Sequence, residues 1–240
     1  MGKRNHSVVN SEEYLKHTYS DKIAPPSDYP SHLAKWLEQN IFKKSGTIAD
    51  FGCGRGDFLD AFKSIGFEPY GFDISPNIEE LTQHNVKRVD FSVDEAPYDK
   101  KQYDFIFSKS VIEHLQEPDT YISAIHKGLK DDGKAVIMTP SWSHTYWGPF
   151  YIDHTHVTPF TAHSLESALK IAGFKKVEVR YFYQLPFLWR FPWLTPFVKL
   201  FSKLPIPYGP YNNVPWGVSN RLNKLVRFSK EVMLLAVVEK

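Results

Sequence analysis

The chain has 240 residues, of which 42% are hydrophobic and 23% are charged, and its net charge is +2 at pH 7. These totals are typical of a globular protein with one large domain, and the near-neutral charge argues against nucleic acid as a partner. The one cysteine, Cys53, excludes an internal disulfide, and no apolar run is long enough for a spanning helix. Because the N-terminal residues also lack the apolar core of a secretory signal, the sequence predicts a soluble cytoplasmic protein.

Strand-like and helix-like runs alternate along most of the chain. Residues 1–44 are interpreted as a helical lead-in with a short helix near its start and apolar residues at helical spacing over 28–44. Strand-like runs follow at 47–51, 68–72, 86–89, 103–108 and 134–138, and helix-like runs at 57–65, 76–84 and 118–130. This alternation is typical of βαβ units and a mostly parallel sheet.

The last third of the chain departs from this alternation. A 21-residue loop, 140–160, is rich in aromatic and His residues, and a helix over 161–172 follows it. The stretches GFKKVEVRYF and EVMLLAVVEK, which begin at Gly173 and Glu231, are predicted to form the last two strands. Residues 183–229, between these strands, are interpreted as an insertion in a domain that runs from 45 to 240.

The stretch TIADFGCGRGDFL, residues 47–59, has glycines at every second position directly after a strand. A P-loop needs a Gly-Lys-Ser/Thr ending that is absent, and a dinucleotide fingerprint needs a third glycine where Asp57 stands. Asp50 and Asp57 both offer negative charge, so the pattern favours a ligand with a cation and hydrogen-bond donors. S-adenosylmethionine, with an ammonium, a sulfonium and a ribose, fits this description.

IADFGCGRG resembles the first motif, D-x-G-C-G-x-G, of the class I S-adenosylmethionine-dependent methyltransferases, and the resemblance continues in order over residues 45–180. YGFDISP resembles the second-strand motif, which implies that Asp73 holds the ribose hydroxyls. VDFS resembles the adenine-contacting turn, which implies Asp90 for the exocyclic amine and Phe91 for the ring face. The block 103–140 resembles the small-molecule branch, which implies that Ser108 lines the methionine end. The implied cofactor-binding set is Asp50, Gly52, Cys53, Gly54, Gly56, Asp73, Ile74, Asp90, Phe91 and Ser108.

Methyl transfer to a hydroxyl benefits from a base near neutral pKa, which makes His residues at the carboxyl edge of the sheet the candidates. The ubiquinone-pathway O-methyltransferases have an LEH element similar to Glu113-His114, although the pair here could instead cap and orient the next helix. Some of those enzymes have a further glutamate three residues earlier. That position is Ser110 in this chain, which argues against a metal site, and no metal is predicted.

The second source of a base is the loop after the fifth strand. It resembles the D-x-x-H-V-x-x-(F/Y)-(S/T) segment of this branch, matched by Asp153, His156, Val157, Phe160 and Thr161, with Thr161 expected to cap the next helix. The alternatives are a structural role for His156 and a zinc site, which the absence of Cys ligands and of a tight His pair disfavours. The predicted catalytic residues are His154, His156 and His114, and the predicted substrate-binding residues are His144, Tyr146, Trp147, Tyr151 and Asp153.

The insertion, residues 183–229, mixes aromatic and basic residues and contains no Asp or Glu. Three readings stay open for it: a substrate lid, a membrane-surface site for a lipid-linked substrate, and a dimer interface. Prolines at 186, 192 and 196 interrupt any long helix, so the segment is not expected to span a membrane.

The resemblance implies a Rossmann-like, seven-stranded, mostly parallel α/β sheet flanked by helices. It also implies an enzyme that transfers methyl from S-adenosylmethionine by direct displacement, most simply to oxygen of a small or lipid-linked molecule. Sugars and isoprenoid phenols are the favoured acceptors. N-methylation of a small amine and a non-catalytic cofactor-binding partner protein are the alternatives.

Overall fold

The computed structural model describes residues 25–91, 102–210 and 214–240. The short helix predicted near the start of the lead-in lies outside these residues. Seven strands are present: β1 (Thr47–Phe51), β2 (Glu68–Asp73), β3 (Asn85–Arg88), β4 (Tyr103–Lys109), β5 (Leu129–Pro140), β6 (Lys176–Phe182) and β7 (Met233–Glu239). The described α-helices are α1 (Tyr29–Leu37), α2 (Asp57–Ser64), α3 (Pro118–Gly128), α4 (Trp142–Thr145), α5 (Ala162–Ile171), α6 (Pro186–Arg190), α7 (Thr195–Phe201) and α8 (Asn220–Lys230).

The strands form a single sheet in the order β3-β2-β1-β4-β5-β7-β6. The first five strands are parallel, and β7 runs antiparallel to both of its neighbours. The predicted fold class is therefore confirmed: the sheet is Rossmann-like, seven-stranded and mostly parallel. Its central strands are covered on both faces, which explains why β1 and β4 read as nearly continuous apolar runs.

Two apolar clusters cover the two faces of the sheet. On one face, α3 and α5 contribute Tyr121, Ile125 and Leu165 to the core. On the other face, α1 and α2 contribute Leu33 and Phe62, among others. Helices pack on both faces of the sheet, and ligands of such folds bind at the carboxyl edge of the strands.

Several predicted boundaries differ from the structure. The helix expected over 76–84 is only a 3₁₀ turn, Pro76–Glu80, because the residues after it lead at once into the edge strand β3. The loop 140–160 contains α4 and a 3₁₀ turn, Pro149–Ile152. Thr161 caps α5 as expected, since its side chain accepts a hydrogen bond from Ser164 N.

Residues 183–232 leave the sheet at the same edge as the carboxyl ends of the parallel strands. Met233, the first residue of β7, pairs with Pro140 at the end of β5 and with Phe182 at the end of β6. The insertion therefore starts and finishes beside the ligand-binding edge. Among the described residues, no helix combines the length and the apolar composition needed to cross a bilayer.

Asp104 joins the start of β4 to the start of β1. It accepts hydrogen bonds from the Thr47 backbone N–H and hydroxyl at 2.9 and 2.7 Å, and from Lys130 Nζ at 2.9 Å. Burial acts to raise its pKa, but the hydrogen bonds from Lys130 and Thr47 outweigh burial and lower the pKa to about 2. Because the folded pKa lies below the unfolded value, the stabilisation is present above pH 3.8 and is lost as the pH falls towards 2.

We expect Asp104→Ala to lower the free energy of unfolding by about 1 kcal/mol near pH 7, after discounting for solvent screening. The difference from wild type should shrink as the pH falls below 4, where the carboxylate of the unfolded chain takes up a proton, and should reach its minimum near pH 2, where the folded carboxylate is protonated as well. Urea unfolding at several pH values measures this, with Asp131→Ala as the matched exposed control. An Asp104→Ala deficit that is independent of pH would contradict the assignment.

Candidate active site

The glycine loop, residues 52–56, follows β1 and is held against the end of β2. Gly52 N and Cys53 N donate to the Phe72 carbonyl oxygen at 2.7 and 3.1 Å. Gly52 has φ +89°, and a Cβ at this position would lie 2.2 Å from Val111 Cγ2. Glycine is therefore required at position 52 for both its conformation and its space.

The Asp73 carboxylate faces this loop from the end of β2. Oδ2 accepts a hydrogen bond from Gly54 N at 2.8 Å, and Oδ1 accepts one from Ser75 N at 2.9 Å. Burial raises the pKa of Asp73, while the backbone hydrogen bonds from Ser75 and Gly54 oppose that rise. The helical turn after β2 is capped by Ser75, whose hydroxyl accepts from Asn77 N, so Asp73 is not needed as its cap.

Asp50, near the end of β1, has a buried carboxyl oxygen without a hydrogen-bond partner among the described residues. It is 2% exposed, and within the described part of the chain its Oδ2 has no hydrogen-bond partner. Burial raises its pKa well above the usual value, and Asp73 adds to this, while Lys109 acts in the opposite direction. A buried carboxylate oxygen without a partner is costly, and a cationic or donor-bearing ligand would remove that cost.

The side chain of Cys53 is buried beneath the glycine loop, and Asp57 is paired with Arg55. Cys53 is buried beside Leu59 and Ile78, and burial together with the Asp50 and Asp73 charges raises the pKa of its thiol. Asp57 accepts from Arg55 Nη2 at 2.8 Å, so its charge is paired within the loop. The negative charge at the loop therefore comes from Asp50 and Asp73.

Two residues predicted to contact the cofactor, Phe91 and Ser108, have buried side chains. The Phe91 ring is 5% exposed, stacks on Phe51 with centroids 4.7 Å apart, and meets the Tyr121 ring edge-to-face at 5.0 Å. Ser108 is fully buried, and its hydroxyl bonds with the Tyr121 hydroxyl at 2.6 Å. Both side chains belong to the core, because strand alternation and the turn after β3 direct them inwards. Ile74, 36% exposed, is the apolar side chain next to Asp73 at this edge.

The 3₁₀ turn Ile112–His114 is joined to the His-rich loop by several hydrogen bonds. Val157 N and Thr158 N both donate to the Glu113 carbonyl oxygen, at 2.9 and 3.0 Å. The Thr158 hydroxyl donates to the Leu115 carbonyl oxygen at 2.6 Å. These contacts bring together the two segments that the sequence treated as separate sources of a base.

His114 and His156 meet with ring centroids 4.7 Å apart. His156 Nδ1 donates to the Phe150 carbonyl oxygen at 2.6 Å, so in the neutral ring Nε2 carries the lone pair. The Thr155 hydroxyl donates to Asp153 Oδ1, so it must accept from His114 Nδ1, which lies 2.8 Å away. His114 therefore also carries its lone pair on Nε2, and Asp153 and Thr155 fix that tautomer.

Burial keeps both imidazoles neutral. It lowers the pKa of His114 to about 4, with the nearby His156 adding to the effect, and it also lowers the pKa of His156. Glu113 is completely buried, its Oε2 accepts from the Thr139 hydroxyl at 2.9 Å, and burial raises its pKa to about 7. Both rings are therefore neutral near pH 7, and Glu113 is the member of the cluster whose pKa lies near neutrality.

The same cluster contains donors of the type that hold metals. One ligand atom each from Glu113, His114 and His156 lies within 4.8 Å of the others. Two imidazole nitrogens and a carboxylate oxygen suit zinc and related divalent cations. The sequence missed this grouping because Glu113 and His156 lie 43 residues apart and meet only through the fold.

The other predicted residues of the loop lie elsewhere. His154 is exposed, while His144 bonds with the Ser141 hydroxyl at 3.0 Å and meets the Tyr181 ring rather than the His114–His156 pair. Three predicted pocket-wall aromatics remain 55–62% exposed: Tyr146, Trp147 and Tyr151. Asp153 is the one predicted substrate-binding residue that joins the cluster, and it does so through Thr155.

Lys109 is a site residue that the sequence did not suggest. It ends β4, and its ammonium lies 5.8 Å from the centre of the Tyr29 ring. Burial lowers its pKa, with Arg227 adding to that effect, while Glu113 and Asp50 act to raise it. From the sequence, a lysine at a strand end is expected to be solvated. The fold places Lys109 near two buried carboxyl groups, those of Glu113 and Asp50.

A Rossmann-like sheet with a glycine loop, a strand-end aspartate and a neutral His pair at its carboxyl edge defines a class of enzyme that binds a nucleoside-containing ligand. A family model for a methyltransferase domain matches residues 24–179. The chain belongs to this family, the class I S-adenosylmethionine-dependent methyltransferases, and S-adenosylmethionine is its cofactor.

Relatives of known activity differ in the atom they methylate. The ubiquinone biosynthesis O-methyltransferase of Bartonella bacilliformis is 26% identical over 186 residues, covering 73% of this chain and 68% of that protein. Phosphoethanolamine N-methyltransferase 2 of Caenorhabditis elegans is 28% identical over 121 residues, which are 47% of this chain but only 28% of the nematode protein. The relatives therefore support methyl transfer from S-adenosylmethionine, but they do not decide which atom accepts the methyl group.

Solved structures repeat the fold. A SAM-dependent methyltransferase from Archaeoglobus fulgidus superposes with a TM-score of 0.63 at 23% identity, covering 95% of this chain and 99% of that one. Haemonchus contortus phosphoethanolamine N-methyltransferase 2, in complex with S-adenosyl-L-methionine, gives a TM-score of 0.62 at 19% identity, covering 97% and 60% of the two chains. At these identities the likeness describes the architecture.

Proposed function

We propose that the protein transfers the methyl group of S-adenosylmethionine to an oxygen of a small or lipid-linked acceptor. A sugar or an isoprenoid phenol is the favoured acceptor, and nucleic acid is not, given the near-neutral charge. The observation that carries the proposal is the neutral His114–His156 pair at the carboxyl edge of the sheet. The hydrogen bond from His156 Nδ1 to the Phe150 carbonyl oxygen leaves Nε2 of His156 as its proton-accepting atom.

The cofactor would be held by the glycine loop and the two aspartates. Asp73 would accept the two ribose hydroxyls, because a carboxylate accepts two hydrogen bonds at once. Asp50 Oδ2, which has no partner among the described residues, supports an ammonium group nearby, and the exposed Ile74 and the half-buried Asp90 would meet the adenine. Gly52, Gly54 and Gly56 would let the backbone approach closely, and Cys53 would serve as a small buried residue beneath the loop.

S-adenosylmethionine, when bound, supplies a methyl group on a positively charged sulfur. The leaving group is the neutral thioether, which departs readily. The protein would hold the acceptor hydroxyl in line with that methyl and exclude water from it. His156 Nε2 would take the hydroxyl proton as the new carbon–oxygen bond forms and the carbon–sulfur bond breaks. His114 would lie beside His156 as a second neutral base, oriented by Thr155 and Asp153.

N-methylation of an amine is the second candidate, favoured by the relationship to the nematode enzyme. An amine acceptor bound in its neutral form needs no base of this kind. The His pair therefore favours oxygen. A non-catalytic cofactor-binding protein would have no use for a paired, oriented base.

The test uses S-adenosylmethionine with a deuterated methyl group and a panel of purified acceptors: catechols with and without a prenyl chain, sugars and primary amines. We expect a labelled O-methyl product from at least one hydroxyl acceptor and no labelled amine product, as read by mass spectrometry and NMR. Labelled amines alone, or cofactor binding without any turnover, would overturn the proposal. Repeating the reaction with EDTA tests whether Glu113, His114 and His156 hold a metal ion that the reaction requires. We expect turnover to persist.

A further inference from the structure

The insertion exposes an unusual number of large apolar side chains. Trp193, Phe197 and Leu200 are 67%, 64% and 66% exposed. Phe187, Phe191 and Leu204 are 40%, 42% and 48% exposed, and all six lie within 18 residues that include α6, the 3₁₀ turn Pro192–Leu194 and α7. We name these six side chains the aromatic face. Grouped exposure of this kind marks an interaction surface, whereas single exposed apolar residues are ordinary.

The exposure does not arise from a poorly packed segment. Leu185, Leu188 and Val198 are buried, and they form a small core with Leu225 and Phe228 of α8. Trp189 packs against Trp36 and Tyr29 of α1, and its indole N–H donates to the Tyr183 carbonyl oxygen at 2.8 Å. The insertion is therefore anchored to the main domain by one set of apolar residues. The aromatic face is a second set of apolar side chains, none of which belongs to this small core.

The charged residues of the insertion are all basic. Residues 181–230 contain no Asp or Glu. Arg190, Lys199 and Lys203 are exposed among the six apolar residues, and Arg221 and Lys224 are exposed on α8. The Arg190 guanidinium lies over the Phe191 ring at 5.4 Å. Aromatic side chains interspersed with cations match the interfacial zone of a bilayer that contains anionic lipid.

A second copy of the chain matches this surface poorly. A two-fold interface would set the same patch against itself, bringing five exposed cations towards five others with no acidic residue of this segment to offset them. A closing lid also fits less well, because the buried residues already pack the segment down. We propose that the aromatic face, with its surrounding cations, docks the protein on anionic lipid bilayers.

Docking of this kind would bring the ligand-binding edge to the lipid. The insertion begins and ends where Phe182 and Pro140 pair with Met233, at the carboxyl edge of the sheet. Trp147 of the His-rich loop contacts Tyr208 of the insertion, with ring centroids 6.2 Å apart. An acceptor with an apolar tail in the bilayer could then present its polar head to the His-rich loop. Docking on the bilayer does not depend on which atom of the acceptor is methylated.

The test is co-sedimentation of the full chain with vesicles of phosphatidylcholine, alone or mixed with phosphatidylglycerol. We expect binding to the mixed vesicles, little binding to phosphatidylcholine alone, and loss of binding at high salt. The double variant Trp193→Ser/Phe197→Ser should bind at least about tenfold more weakly. Lys199→Glu/Lys203→Glu should lose the preference for phosphatidylglycerol. Ile171→Ser, which changes a side chain on α5 that is 85% exposed, is the matched control and should bind as wild type does.

Calorimetry with the cofactor and sedimentation of the same variants distinguish lipid docking from a dimer interface and from a substrate lid. We expect S-adenosylmethionine affinity and turnover of a soluble acceptor to be unchanged in Trp193→Ser/Phe197→Ser, which also shows that the variant is folded. Wild type that ignores phosphatidylglycerol vesicles would overturn the proposal. A wild-type dimer that is lost in the double variant would also overturn it, because that result indicates a dimer interface. A double variant that binds lipid normally but loses turnover would overturn it as well, because that result indicates a substrate lid.

Discussion

Asp73→Ala is expected to weaken S-adenosylmethionine binding by about 100-fold, because two hydrogen bonds to a charged carboxylate contribute about 3 kcal/mol together. Asp73 lies at the end of β2 opposite the glycine loop, and burial raises its pKa, so its carboxylate is held in a site with little water. Ribose hydroxyls are suited to such an acceptor. Isothermal titration calorimetry with the cofactor measures the effect directly.

Two further variants sharpen this test. Asp73→Asn keeps one good acceptor oxygen, and we expect a loss of about tenfold rather than 100-fold. Asp119→Ala removes an exposed carboxylate in the first turn of α3 and should leave affinity unchanged. Asp73 also accepts from Gly54 N and Ser75 N, so each variant's thermal midpoint must be measured to separate loop disorder from lost ribose contacts. A folded Asp73→Ala variant that binds within about threefold of wild type would refute the ribose assignment.

His156→Ala is expected to lower kcat by about 10²- to 10⁴-fold, the usual contribution of a general base, while cofactor affinity stays unchanged. His114→Ala should have an effect of the same kind, since the two rings touch and their effects are not expected to add. His163→Ala, which alters an exposed residue on α5, is the matched control. Full turnover in both His114→Ala and His156→Ala would mean that the base lies elsewhere.

The pH profile gives an independent check on the pair. A base must be neutral to accept a proton, and burial lowers the pKa of both rings below the usual 6.5. The acidic limb of the wild-type kcat/KM profile should therefore lie below pH 6.5, with activity lost as the pH falls. Thr155→Val removes the link between His114 and Asp153, so it should lower kcat modestly and alter that limb without changing cofactor affinity.

The sequence supplied the architecture because that information is local. Alternating runs predicted seven strands, and the glycines after β1 could be recognised from spacing alone. The boundaries that failed depend on tertiary contacts. β5 extends from Leu129 to Pro140 because β4 and β7 both pair with it, and the residues after Glu80 leave the helical turn to form the edge strand β3.

The site was only partly predictable for the same reason. Phe91 and Ser108 stand at motif positions, yet their side chains turn into the core beside Tyr121, and no pattern in one sequence reveals that direction. Glu113-His114 and His156 were separate candidates until the fold joined them through the backbone of residues 157–158. Nothing in the sequence marks Thr155 or Lys109 as a residue of the site, because a threonine in a loop and a lysine at a strand end are common on protein surfaces.

We expect the cofactor to lie along the carboxyl edge of the sheet with its reactive end towards the His114–His156 pair. A crystal structure with S-adenosylhomocysteine tests this most directly. We predict the ribose on Asp73, the adenine beside Ile74 and Asp90, the ammonium near Asp50, and the sulfur facing His114 and His156. A ligand bound with its ribose away from Asp73, or with its sulfur on the far side from the His pair, would contradict the account.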